Sequence, residues 1–351
     1  MRSLIVAVLG LAFASFVKAQ TGEVVCWGWN EDGQSTPPSG FFRQVGRGYL
    51  HSVGLRQDGT VACWGSNSSG QSEAPSGTFF KVAGGDFYSS ALRTDGTIAC
   101  WGDSTYGQCN TPSGSFSDVE VGWYHSVALR PSGEIICWGS NTYGQCDAPS
   151  DLFSQVTAGY WHSAGISLDG SVQCWGDNSR GQCDPPNSTF VKLAAGGFHT
   201  LGLRSDGSIL AWGDDANGQS TGAPGGAFTD IAADYLHSIA LRLDGTVVCW
   251  GDNSQGQCDV VPGSYQSIAG GSYHTLAVTI VTGACCTGNE VRCVVTRESD
   301  CKAELGLTWS GPNTTCNDAV CTASCEGDTT GNGVVDFTDL ISVLNNWGPC
   351  S

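Results

Sequence analysis

Through most of the chain, short stretches of alternating apolar and polar residues end at glycine-containing turns. Phe153–Ala158 is one such stretch, and His162–Ser167, with small and apolar residues in alternation, is the next. Asp169-Gly170 then signals a hairpin into Ser171–Trp175, and a polar Gly-Gln loop leads onward. A period of two residues predicts strands, so each unit reads as three short strands and a loop. The unit recurs: Trp-Gly stands at Trp27, Trp64, Trp101, Trp138, Trp175, Trp212 and Trp250, spaced by 37 residues and, at the last step, by 38.

Units this small cannot bury their own faces and must stack, and radial stacking of all-β repeats makes a propeller. The last unit has two strands, within Tyr265–Ile280, but lacks an Asp-Gly turn and a Cys-Trp-Gly strand. The segment 21–27 at the other end matches the missing strand in register. The sequence therefore predicts an all-β, seven-bladed propeller over residues 20–282, with the N-terminal strand closing the last blade and leaving no free edge.

The unit pattern H-S-x-A-L-R-x-D-G-x-V-x-x-W-G-x-N-x-x-G-Q resembles the RCC1 repeat superfamily. The short repeat is most similar to the compact bacterial branch that includes β-lactamase inhibitor protein II. The resemblance implies a seven-bladed propeller and says little about function, because one fold hosts many sites. It also implies a binding face: the related inhibitor holds its target enzyme with aromatic and acidic residues on such a face.

Antiparallel strands place the end of the first strand, the start of the second and the end of the third on one face, with the Asp-Gly turns on the other. Two residues precede each His slot, and the first of them varies most: Tyr49, Asp86, Trp123, Tyr160, Gly197, Tyr235 and Ser272. The candidate ligand-binding face is Tyr49, Asp86, Trp123, Tyr124, Tyr160, Trp161 and Tyr235, with Trp29 and Tyr143 from nearby loops. Aromatic residues on a rigid scaffold anchor protein interfaces and stack on sugars, so the ligand is read as a protein or a carbohydrate. The Trp-Gly tryptophans read first as packing residues.

All six His fall in one slot (His51, His125, His162, His199, His237, His274), with Tyr88 there in the remaining repeat. Residues repeated around a ring do not converge on one metal, so a structural bond to the next blade is expected. No zinc-protease, nucleophile-elbow or P-loop motif occurs, and Asp214-Asp215 is a weak glycosidase signal. The chain is expected not to be an enzyme. Its net charge of −18, with 15 Lys plus Arg, argues against nucleic acid.

Composition adds the compartment. Residues 1–19 read as a secretory signal peptide, with Arg2, an apolar run Leu4–Phe16 and small residues at Val17 and Ala19. No later segment is apolar for long enough to span a membrane. Export makes the 18 Cys legible as disulfides. Same-repeat pairing gives Cys100–Cys109, Cys137–Cys146, Cys174–Cys183 and Cys249–Cys258. It is favoured because the sixth repeat has lost both positions at once, to Ala211 and Ser220. Cys26 and Cys63 are left as buried thiols or as a mutual pair.

Residues 283–324 carry Cys285, Cys286, Cys293, Cys301, Cys316 and Cys321 and read as a disulfide-stapled module of open connectivity. Residues 325–351 read as a Ca²⁺ loop and amphipathic helix. Asp328, Thr330, Asn332, Asp336 and Asp339 supply oxygens, Val334 supplies its carbonyl, and Gly333 takes the sharp turn. The segment resembles a dockerin type I repeat, which implies a cohesin-like partner, although a single repeat stands where dockerins usually carry two. Cys325 and Cys350 flank it as a possible clamp. The expected whole is a secreted binding platform with a calcium-dependent attachment unit. The competing readings are an accessory of extracellular polysaccharide degradation and, less favoured, guanine nucleotide exchange.

Overall fold

A computed structural model describes residues 22–280, and the backbone of three further strands, Thr282–Cys286, Val294–Arg297 and Thr308–Trp309. The first blade shows how each unit is built. Phe42–Arg47 lies innermost, His51–Arg56 is the middle strand and Val61–Gly65 the outer one, all antiparallel. The later inner strands are Phe79–Gly84, Asp118–Val121, Phe153–Ala158, Lys192–Ala195, Phe228–Ala233 and Tyr265–Gly271. Each inner strand packs beside the next, and the last packs beside the first, so the ring is closed.

The last blade consists of Tyr265–Gly271, His274–Thr279 and, as its outer strand, Val24–Gly28. Gly28 stands opposite His274 just as Gly65 stands opposite His51, so the N-terminal strand completes the seventh three-stranded sheet in the register read from sequence. Among the described residues no helix is long and apolar enough to cross a membrane. The three further strands pair as a separate small sheet with Thr282–Cys286 in the middle.

Middle strands are buried along nearly their whole length because blades cover both their faces. Their alternating small residues follow from this. A Cβ on Gly54 would stand 2.7 Å from the Phe42 ring and 3.1 Å from that of Trp64, which fill the slot from either side. The core forms between blades: Val53 and Leu55 of the first pack with Phe79, Val82 and Ala91 of the second. Each fully buried Leu or Phe contributes about 2–3 kcal/mol. Gly65 has φ +94°, and a Cβ there would lie 2.6 Å from the Leu50 carbonyl oxygen, so the residue after Trp64 must be glycine.

Candidate functional site

A belt of hydrogen bonds fixes the end of the ring where the Trp-Gly motifs lie. His51 Nε2 meets Ser89 Oγ of the next blade at 2.8 Å, and the same contact recurs from His125 to Ser163, His162 to Thr200, His199 to Ser238 and His237 to Thr275. His274 reaches Ser52 and closes the circle. Each hydroxyl donates its proton to the carbonyl of a loop glutamine, as Ser52 does to Gln34 at 3.0 Å. The hydroxyl must therefore accept from His, which places the imidazole proton on Nε2. The same Gln34 carbonyl accepts from Trp64 Nε1 at 2.8 Å. Burial pulls the histidines down to about 4 (His51, His162, His237) or about 3 (His125, His199, His274), so they stay neutral. Tyr88 takes the slot in the second blade by donating to the His125 carbonyl at 2.5 Å.

Above this belt, aromatic rings from all seven blades form one connected run. Phe87 touches Tyr49, which touches Tyr273, at 5.9 Å each between ring centroids. The run continues to Tyr235 (6.0 Å), Tyr160 (5.2 Å), Trp123 (5.0 Å), Trp161 (5.0 Å) and Phe198 (5.4 Å). Loops add rings at its edge: Trp29 on Tyr273, Tyr143 on Trp161, and Tyr106 on Tyr124, which itself stacks on Trp123. Tyr106 and Tyr143 are 53% and 49% exposed. Most of the others are half-buried.

At the axis a charged plug closes the channel beneath the rings. Arg47 spans it, donating to the carbonyls of Ala233 (2.6 Å) and Ala158 (2.8 Å), with Asp234 at 3.4 Å. Tyr160 and Ser272 hydroxyls meet at 2.8 Å beside them. Burial raises Asp234 to about 6 against the pull of Arg47. Burial and the Asp234 charge raise Asp86 well above the ordinary carboxylate range. Below the plug the channel holds about 150 Å³, lined by inner-strand residues including Gln44, Glu120, Gln155 and Lys192.

The loops are pinned by four disulfides: Cys100–Cys109, Cys137–Cys146, Cys174–Cys183 and Cys249–Cys258. The other three loops carry serine after Gly-Gln instead. Ser35, Ser72 and Ser220 each donate to the backbone carbonyl six residues earlier, at 2.8 Å. Cys26 and Cys63 are free thiols, which resolves the alternative left open above. Burial pushes Cys63 up to about 12, and raises Cys26 as well.

A family model for the regulator of chromosome condensation (RCC1) repeat matches residues 42–71, 81–108, 116–145, 153–182, 190–219 and 228–257, together just over half of the chain. The chain belongs to the RCC1 repeat family. No curated protein matches it significantly. Among solved structures it is similar to yeast RCC1 (Prp20) bound to Kap60, at 16% identity and a TM-score of 0.65, covering 82% of this chain and 92% of that one. It is similar also to Prp20p from Saccharomyces cerevisiae, described with its binding to Gsp1p and histones, at 15% identity, TM-score 0.63, 82% and 94% coverage. The CRINKLY ectodomain of the Arabidopsis thaliana receptor kinase ACR4 matches at 25% identity, TM-score 0.57, 73% and 97% coverage.

Within these RCC1 blades the face read from sequence is rearranged in depth. Tyr49, Trp123, Tyr124, Trp161, Tyr235, Trp29 and Tyr143 all lie in the ring run. Tyr160 and Asp86 do not present themselves at the surface: they are 5% and 7% exposed. Tyr160 is covered by Trp123, Phe198 and Tyr235, and its hydroxyl is held by Ser272. Asp86 sits beside the plug.

The Trp-Gly tryptophans are packing residues, their indole N–H groups held by loop carbonyls. Sequence reasoning missed Tyr106, which holds the repeat position of Tyr143; Phe87, Phe198 and Tyr273 stand just before the His slot on the same face but are not among the candidates chosen from it. It missed Arg47 and Asp234 too, although both break their slots. Gly, Val or Ala stands in the other blades where Arg47 does, and Gly where Asp234 does. Among the described residues no cluster of three or more His, Cys, Asp or Glu is placed to hold a metal ion. The calcium residues Asp328, Thr330, Asn332, Val334, Asp336 and Asp339, and the Cys325–Cys350 clamp, lie outside the described residues.

Proposed function

We propose that this chain is a secreted, non-enzymatic platform that holds a protein ligand on its aromatic face. The observation that carries the reading is the connected run of rings from Phe87 to Phe198, mounted on a hydrogen-bonded, closed ring. Rigid aromatic residues bring large contact area at low entropic cost, which is how interface anchors work. The rings pack on one another, some stacked (Tyr160 and Tyr235 within 9° of parallel, Trp123 and Trp161 within 24°) and others edge-to-face, as Tyr235 is on Tyr273. The Prp20p structures, with Kap60 in one and binding to Gsp1p and histones in the other, fit a protein ligand.

Export is supported by the four blade disulfides, which persist in oxidising compartments. The proposal includes a Ca²⁺-dependent attachment unit at Asp328–Asp339, resting on the oxygen donors of that loop. The binding reading is tested by comparing the full chain with its Trp123→Ala and Trp161→Ala variants against a protein ligand selected on the wild type. Loss of binding with the fold intact supports it. Unchanged binding by both variants overturns it.

A further inference from the structure

Positive charge is segregated along the propeller axis. Every one of the seven loops beside the aromatic run carries a carboxylate: Glu31, Glu73, Asp103, Asp147, Asp184, Asp215 and Asp259 mark them in order. All but Asp103 are exposed. Among the described residues Arg180 is the single Lys or Arg in these loops, and it is already spent on Asp214 at 3.6 Å.

The remaining cations of the described residues lie elsewhere. Arg56, Arg93, Arg130 and Arg242 lie over the rings of Phe42, Phe79, Phe116 and Phe228 near the Asp-Gly turns, 4.8–5.6 Å from the centroids. Lys81 and Lys192 pair with Asp118, Glu120 and Asp230 on the inner strands. Arg47 is locked in the plug. Asp214 apart, the loop carboxylates that are engaged accept from neutral groups, as Asp147 does from Asn141 and Asp184 from Asn178, each at 2.8 Å. Among the described residues their charge is therefore uncompensated.

Burial raises the Tyr124 phenol, with Asp86, Tyr106 and Asp103 adding to it, and raises Tyr273, with Tyr49, Tyr235 and Asp252 adding to it. An aromatic centre with a single-sign acidic rim is an interface in which the rings supply the anchor and the rim selects the partner and speeds its approach.

We infer that the occupant of this face is a protein surface offering lysine and arginine side chains. The inference rests on the protein-binding reading above and adds the chemistry of the partner. Such a partner places ammonium or guanidinium groups against the loop carboxylates while apolar groups cover the rings. The same arrangement repels acidic proteins of similar shape, so the rim gives specificity as well as attraction.

The test is a selection of phage-displayed random peptides on the full, oxidised chain, followed by calorimetric titration of the enriched peptides at low and high NaCl. The expected peptides combine Lys or Arg with an aromatic or aliphatic residue, and bind at least tenfold more weakly at high salt. The triple variant Glu73→Lys, Asp147→Lys, Asp184→Lys should weaken them at least tenfold again, while Glu134→Lys, exposed at a turn on the opposite face, leaves them unchanged. Enriched peptides without cations, or affinities indifferent to the triple reversal, overturn the inference. If such uncharged peptides are nevertheless lost on Trp161→Ala, the aromatic platform stands and only its partner chemistry falls. Peptides indifferent to both Trp161→Ala and the charge reversal, or no enrichment at all, overturn both.

Discussion

His274 in the last blade donates from Nε2 to Ser52 Oγ in the first, 2.8 Å away, and so joins two residues 222 positions apart. The chain meets itself again in the N-terminal strand, where Cys26 pairs with Leu276. The ring is thus fastened twice, once by backbone and once by the belt. His274→Ala removes a buried donor and leaves Ser52 short of a partner, at a cost of about 2–3 kcal/mol. Tyr88→His, which restores the common residue, is expected to change stability by less than about 1 kcal/mol. Urea unfolding of the two variants checks the contrast.

Acid should loosen the belt. Burial pulls the histidines down to about 3–4 in the folded protein against an ordinary imidazole value of 6.5, so the unfolded chain binds more protons on the way down. Their contribution is complete above pH 6.5 and is lost as pH falls towards 4. One histidine expressing this shift fully is worth on the order of 3 kcal/mol. Asp234, raised to about 6, works in the other sense: its contribution is present below 3.8 and lost as pH rises through 6. One such group, with Asp86 beside it, does not offset six. The urea midpoint should fall steeply between pH 6.5 and 4, and a flat profile would contradict neutral buried histidines.

The serine loops can be converted. Cys63 already stands in the slot that Cys100, Cys137 and Cys174 use, and Ser72 stands in the slot of their partners. Ser72→Cys is expected to capture Cys63 in a fifth blade disulfide, seen as the loss of a titratable thiol in denaturant. An unstrained bridge over this short loop adds roughly 2–3 kcal/mol.

Calcium is expected to raise the melting temperature of the C-terminal region, and EDTA to reverse the rise. Asp328→Ala and Asp339→Ala should abolish the shift, because each removes a carboxylate from a loop that needs charge to compete with water for the ion. Calorimetry with and without Ca²⁺ decides it.

Much of the architecture was legible because each unit repeats one spatial rule. Periodic Trp-Gly and Asp-Gly fixed strand number and direction, the missing last strand pointed to closure by residues 21–27, and the paired loss at Ala211 and Ser220 pointed to the disulfide pattern. Depth was not legible. Tyr49, Trp123 and Tyr160 share a slot, yet Tyr160 alone is sealed beneath its neighbours, because inter-blade covering depends on which rings stand in other blades. The plug was missed for the opposite reason: Arg47 and Asp234 are single departures from the repeat, and a reading tuned to periodicity passes over the positions that break it.

The central claim is that the aromatic end of the propeller is where a protein ligand sits. Hydrogen–deuterium exchange of the full chain with and without a selected protein ligand tests it most directly. Protection should concentrate in the loops around Tyr106 and Tyr143 and at Trp123–Tyr124 and Tyr160–Trp161, with the Asp-Gly turns at Asp58, Asp95 and Asp169 unchanged. Protection at those turns, with the aromatic loops exchanging as in the free protein, would contradict the account.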